Sequence, residues 1–145
     1  MFRMTIYELS LKDYRRIVDV WDQAGMPAKL KGRDGPDNLR KQVASGTVFI
    51  LGDVKEGLLR GVIVVSNDGR KGWMNRLAVL PKFRDQGIAS GLIREAEKRL
   101  RGMGIEIFAA HIEEENKPSH QLFEKLGYVP ATDIIYFVKR LRDEV

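Results

Sequence analysis

The sequence predicts a single mixed α/β (α+β) domain, a sheet with helices packed on its faces, and three observations support that reading. Runs rich in β-branched residues are interleaved with runs whose apolar residues recur at helical spacing. Glycine, proline and short polar clusters punctuate these runs, with no internal repeat and no linker-like stretch. A length of 145 residues, 43% hydrophobic and 31% charged, suits one domain spanning 1–145.

Residues 5–8 read as a short first strand. Residues 11–24 follow as a helix with Tyr14, Ile17, Val18 and Trp21 on one buried stripe, ended by Gly25. A loop over 26–36 carries Lys29, Lys31 and Arg33, the kind of loop that borders a substrate site, before a shorter helix over 37–44. Residues 47–53 and 58–66 are β-rich and separated by Val54, Lys55, Glu56 and Gly57, which predicts a hairpin. Asn67, Asp68 and Gly69 turn the chain into a third strand over 72–79. An amphipathic helix over 87–101 has Ile88, Leu92, Ile93, Ala96 and Leu100 on one face and stops at Gly102 and Gly104. A strand over 105–112, a short helix over 118–126 closed by Gly127, and a last strand over 134–140 complete the chain.

Composition removes several chemistries. The chain has no cysteine, which excludes disulfides, thiolate nucleophiles and cysteine-ligated zinc or iron–sulfur sites. Only His111 and His120 offer imidazole, so a three-histidine metal site cannot be assembled in one chain. The longest apolar run, 134–138, falls far short of the roughly 20 residues of a membrane-spanning helix. The first ten residues carry Arg3 and Glu8 where a signal peptide has its apolar centre. A cytoplasmic protein with no membrane partner is expected. Lys plus Arg number 25 against 20 Asp plus Glu, and this formal charge of +5 favours anions, either nucleic acid or a phosphorylated cofactor. The basic residues are dispersed among acids with no stacking-aromatic motif, which ranks nucleic acid last.

The stretch that carries chemistry is Leu77-Ala78-Val79-Leu80-Pro81-Lys82-Phe83-Arg84-Asp85-Gln86-Gly87-Ile88-Ala89. It joins a strand to a helix through a loop with a basic residue and a glycine. At a helix start the first amides lack intrahelical partners and carry the positive end of the dipole, so they bind phosphate. Gly87 permits close approach, Ala89 keeps the next turn small, and Arg84 adds a charge-assisted bond. Neither a Walker A loop nor the Gly-x-Gly-x-x-Gly dinucleotide pattern is present.

Arg84, Gly87 and Ala89 in this setting resemble the acetyl-coenzyme A signature of the GNAT acetyltransferase superfamily, Arg/Gln-x-x-Gly-x-Gly/Ala. The resemblance extends through Asn116, seven residues before an aromatic, and through Leu126-Gly127-Tyr128, so it covers 73–128. Asp68-Gly69, Leu77-Ala78-Val79 and the Pro81-x-Phe-Arg run resemble in particular the branch of ribosomal-protein N-acetyltransferases and small YpeA-type enzymes. The resemblance implies a mixed sheet of six to seven strands flanked by about four helices, with two strands splayed into an acetyl-coenzyme A cleft. It implies that Leu77, Ala78 and Val79 hold the acetyl and pantetheine groups. The pyrophosphate would lie on the backbone from Arg84 through Asp85, Gln86, Gly87, Ile88 and Ala89 to Ser90. Asn116 would contact the pantetheine arm and Phe123 would pack against cofactor and core.

The implied reaction is acetyl transfer from acetyl-coenzyme A to an amine of a small molecule or of a protein or peptide N-terminus, by direct attack in a ternary complex. A second copy of the chain is a candidate partner. Such transfer needs a base for the amine and an acid for the departing thiolate. His111 stands five residues before Asn116, where the ribosomal-protein branch has glutamate, and strand alternation puts it on one face with Ile107 and Ala109. Phe123 stands where many relatives have the proton-donating tyrosine, leaving water, Tyr128 or Tyr136 for that step. This departure also sustains a second reading, a non-catalytic acyl-coenzyme A binding module. Trp73 and Asn75 are expected on the face of Leu77, lining the acceptor pocket. Glu113, Glu114 and Glu115 read as a solvated run, His120 as an exposed helix residue, and Asn116 doubles as a helix N-cap before Pro118.

Overall fold

In chain order the elements are β1 (Ile6–Leu9), α1 (Tyr14–Gln23), α2 (Pro36–Ala44), β2 (Val48–Lys55), β3 (Leu58–Asn67), β4 (Gly72–Val79), α3 (Ile88–Gly102), β5 (Phe108–Ala109) and α4 (Lys117–Lys125). The computed structural model describes residues 5–145, so the first four residues of the leading stretch lie outside the described part. The strands lie side by side in sequence order, antiparallel through β4 and parallel between β4 and β5.

β2 and β3 are apolar without alternation at Val48–Leu51 and Val62–Val65 because both faces of the sheet are covered there. Ile50, Val62 and Val64 pack with Ile17, Val20 and Trp21 of α1 and Leu39 of α2. Their neighbours Leu51, Ile63 and Val65 pack on the opposite face with Leu92, Ile93, Ala96 and Leu100 of α3 and Phe123 of α4. Each such side chain contributes roughly 1.5–3 kcal/mol on full burial. The helix starts follow local chemistry. Ser10 accepts from the Lys12 amide while Asp13 accepts from the Ser10 amide, a capping box ahead of α1. Pro36 opens α2, and Asn116 accepts from the Ser119 amide at 3.4 Å to cap α4.

Three expectations are corrected. The β2–β3 loop is two residues, Glu56 and Gly57, both at positive φ (52° and 79°), so the strands run further toward the turn than composition suggested. The strand expected over 105–112 is paired only at Phe108–Ala109. Residues 134–140 form no strand, with Ile135 77% and Phe137 88% exposed. Among the described residues the sheet therefore has five strands rather than six to seven. A β-prone run becomes a strand only against an edge that offers matching hydrogen bonds, and β5 offers two residues. Between Phe108–Glu114 and Ile134–Phe137 lies a cavity of about 1230 Å³ instead of a ladder. No helix among the described residues is long and apolar enough to cross a membrane.

Candidate active site

The site begins with an irregularity in β4. Ala78 pairs with Val62 and Asn75 with Val64, so Arg76 and Leu77 together stand opposite the single residue Ile63. This is a β-bulge, and Arg76 takes φ 50° within it. The extra residue shifts the alternation by one. Trp73 and Asn75, opposite Ser66 and Val64, face α1, whereas Leu77 and Val79 pack with the α3-side cluster and Ala78 with the α1-side cluster. The expectation that Trp73 and Asn75 share the face of Leu77 is thereby overturned. Asn75 instead spends its amide on Ser66 Oγ at 2.9 Å and the Trp73 carbonyl at 3.1 Å.

β4 and β5 pair at Gly72 with Phe108 and at Trp73 with Ala109, and nowhere further along. From Asn75 to Val79, β4 has no partner on its β5 side among the described residues. A parallel pair that separates after two residues leaves a wedge open between the strands. His111 lies just past the separation, exposed, with its ring 4.7 Å from that of Trp73 and 4.6 Å from that of Tyr136. Its neighbours Phe108, Ala110 and Ile112 pack on the α3 side, which puts His111 on the α1 side as alternation predicts.

At the far end of β4, a short 3-10 turn over Pro81–Phe83 leads into the loop before α3. Asp85 has φ 61° and Gly87 φ 81°, bracketing Gln86. Arg84, Asp85, Gln86 and Gly87 are exposed, Ala89 and Ser90 are half-buried, and Ile88 is buried as the apolar anchor of the helix start. Among the described residues the amides from Asp85 to Ser90 make no turn, loop or cap hydrogen bond, and the first bond of the helix is Gly91 N–H to the Gly87 carbonyl at 3.0 Å. Amides turned outward by positive-φ residues at a helix N-terminus form an anion-binding concavity. Gly61 of β3 lets the helix start come close, since a Cβ there would meet Ile88 Cγ2 at 2.9 Å.

The remaining expected residues divide. Asn116 is exposed and caps α4, as read. Phe123 is buried and meets Tyr128 edge to face at 4.9 Å. The Tyr128 hydroxyl donates to Glu97 at 2.6 Å, and burial together with that carboxylate pushes its pKa far above the usual phenol range. His120 is half-buried rather than exposed, its Nε2 2.9 Å from the Glu113 carbonyl, so it ties α4 to the preceding loop. Glu113, Glu114 and Glu115 are exposed.

Arg76 and Asp34 escaped the sequence reading. Their side chains pair at 2.7 Å, linking the loop after α1 to the bulge. The available signal was the succession Asn75-Arg76 inside an apolar strand, two polar residues in a row where alternation allows one.

The fold is similar to that of solved acetyltransferases. An aminoglycoside antibiotic 6'-N-acetyltransferase from Acinetobacter haemolyticus aligns at 20% identity and TM-score 0.77, covering 96% of this chain and 100% of that one. An N-acetyltransferase from Thermoplasma acidophilum in complex with coenzyme A aligns at 20% and 0.74, covering 86% and 89%. A ribosomal-protein-alanine N-acetyltransferase from Brucella melitensis aligns at 17% and 0.72, covering 95% and 100%. The profile of the acetyltransferase (GNAT) family matches residues 4–128, and with that span matched this chain belongs to the GNAT family and is an acyltransferase.

Proposed function

We propose that the chain is an acetyl-coenzyme A dependent N-acetyltransferase that moves the acetyl group to an amine by direct attack in a ternary complex. The observation that carries this reading is the coincidence, along the second half of one strand and the loop that follows it, of a wedge between β4 and β5 and an outward-facing set of amides from Asp85 to Ser90. Those residues fit a phosphorylated, extended cofactor. The amides have no internal partners, and Arg84 has no ion pair among the described residues. Leu77, Ala78 and Val79 offer the unpaired β4 edge to an extended arm in the manner of an added strand. When bound, acetyl-coenzyme A supplies a thioester whose carbonyl carbon accepts the amine and whose thiolate departs.

The chain's own residues orient and move protons. His111, on the acceptor side of the wedge and flanked by Trp73 and Tyr136, takes the amine proton directly or through a water. Tyr128 does not serve as the acid, because its hydroxyl is committed to Glu97. Tyr136 or water protonates the departing sulfur. Asn116 and Phe123 border the cofactor arm in the same reading, Asn116 by its amide and Phe123 as packing. The 145 residues act as one domain in the cytoplasm, and the acceptor is a small-molecule amine or a peptide N-terminus. The solved structures it resembles include enzymes named for aminoglycosides and for a ribosomal protein, so both the ribosomal-protein branch and a small-molecule acceptor belong to the screen.

Calorimetry with acetyl-coenzyme A tests the cofactor, and absence of binding at millimolar concentration refutes the reading. Thiol release with a panel of amines tests turnover. Tight binding without release across that panel would favour a non-catalytic acyl-coenzyme A module, the reading that the substitution of Phe123 for tyrosine keeps open.

A further inference from the structure

Asp34 organises the loop between α1 and α2. Its Oδ2 accepts from the Lys29 amide and from Arg76 Nη2, both at 2.7 Å, while its carbonyl accepts from the Tyr14 hydroxyl at 2.7 Å. Its own amide bonds to the Lys29 carbonyl at 3.0 Å, so the loop is wound around one carboxylate. Arg76 completes the tie from the sheet. Its Nη1 donates to the Pro27 carbonyl, its guanidinium lies 5.7 Å from the Trp21 ring centroid, and its own carbonyl accepts from Trp21 Nε1 at 3.4 Å. The Arg76 and Asp34 side chains are 16% and 10% exposed.

Arg76 is also the bulge residue at φ 50°, a conformation that a non-glycine residue keeps only where its surroundings hold it. Two of the groups that hold it, Pro27 and Asp34, belong to the loop. The bulge in turn decides which face of β4 receives Leu77 and Val79. Loop and bulge are therefore one mechanical unit, with the loop bordering the α1 side of the sheet and the bulge bordering the wedge.

We propose that Asp34 and Arg76 are positioning residues for acetyl transfer, locking the loop over residues 26–35 to the β4 bulge so that the acceptor side and the unpaired strand edge hold one relative geometry. The inference rests on the acetyltransferase reading above. It assigns the pair to the transfer step and to acceptor binding more than to cofactor affinity, because Arg76 makes its side-chain contacts with the loop and Trp21, while the free amides of the phosphate anchor begin only at Asp85.

The test combines Asp34→Asn, which removes the charge at constant shape, with Arg76→Lys, which keeps the charge but loses the planar fork that reaches both Asp34 and Pro27. Both are assayed by calorimetry with acetyl-coenzyme A and by steady-state kinetics. The acceptor is the best of a polyamine, an amino sugar, free lysine and an alanine-terminated peptide. Each variant is expected to lose about tenfold or more in kcat and to raise acceptor KM, since small misplacements cost this much. The acetyl-coenzyme A Kd is expected to stay within about threefold, and the double variant to fall no further than the worse single one. A kcat within about twofold of the parent in a variant that binds acetyl-coenzyme A normally overturns the proposal. Parallel loss of cofactor binding and kcat also overturns it, since that marks general structural damage. If Asp34→Asn does not fold, Arg76→Lys decides by the same readings. Failure of the parent chain to bind acetyl-coenzyme A is instead a failure of the underlying functional reading, and it is seen before any variant is made.

Discussion

Trp73 and Leu77 lie four residues apart on one strand and face opposite sides of the sheet. The Trp73 ring is 4.7 Å from His111 on the α1 side, and Leu77 packs with the α3-side cluster. A regular strand would place them on one face, and the extra residue at the bulge separates them. Their substitutions should therefore separate too. Trp73→Ala is expected to raise acceptor KM several-fold with acetyl-coenzyme A affinity unchanged, and Leu77→Ala to weaken the cofactor first. Paired kinetics and calorimetry check this, and identical profiles for the two variants would contradict the two-face arrangement.

Gly87 tests the proposed phosphate-binding role of the loop before α3. Its φ of 81° is a conformation that costs an L-residue roughly 1–2 kcal/mol, and a Cβ there would meet no protein atom within 4 Å. Gly87→Ala should thus lower Tm by only a few degrees through backbone strain, about 2–4 °C per kcal/mol at this size. The same Cβ would intrude where the anion approaches, so acetyl-coenzyme A affinity should fall by about tenfold or more. Arg84→Glu should weaken binding without the loss of Tm, because Arg84 is exposed and makes no internal ion pair among the described residues. Calorimetry beside thermal denaturation distinguishes strain from lost charge.

For His111→Ala, the expected loss in kcat is about 100-fold, the lower end of what a general base contributes. His111 is exposed, so the fold should tolerate the change. Steady-state kinetics check this, and a variant that keeps the parent kcat would remove His111 from the proton path.

Tyr128→Phe should leave kcat within about twofold and reduce stability by about 1 kcal/mol, the net value of the hydrogen bond to Glu97. The edge-to-face contact with Phe123 survives in the variant. A large kcat loss at unchanged cofactor affinity would restore Tyr128 as the acid.

Asp68 predicts a pH dependence of stability. Its Oδ1 accepts from the Lys71 and Arg70 amides, both at 2.8 Å, and these bonds hold its carboxyl below the ordinary value of 3.8. A folded-state pKa below the unfolded one contributes stability above the unfolded value and loses it as pH falls through the folded one. Asp68→Ala should therefore lower Tm at pH 7 and approach the parent as pH drops below 3.8. A difference that stays constant down to pH ~2 would assign the effect to turn geometry alone.

Local order was readable because it rests on neighbours in the chain. The stripe of Ile17 and Trp21, the face of Ile88, Leu92, Ile93, Ala96 and Leu100, and the Asn116 cap all follow from spacing of three or four residues, and all appear where spacing puts them. The loop from Arg84 to Gly87 was equally visible, since a strand, a glycine and a helix start are consecutive in the chain.

What only the tertiary structure decided depends on a partner strand or on distant residues. A bulge exists only by counting β4 against β3, so no periodicity within β4 could put Leu77 and Val79 opposite Trp73. The run 134–140 has the composition of a strand, yet it forms none because the two-residue β5 edge supplies no matching ladder. The Asp34–Arg76 pair joins residues 42 apart, brought together when α1 packs on the sheet. By itself the sequence determined the helices, the core-facing positions and the strand–loop–helix junction around Gly87, because local sterics and burial act along the chain. Folding decided the strand register and the groups around His111, because hydrogen bonds between strands and buried ion pairs are settled across it.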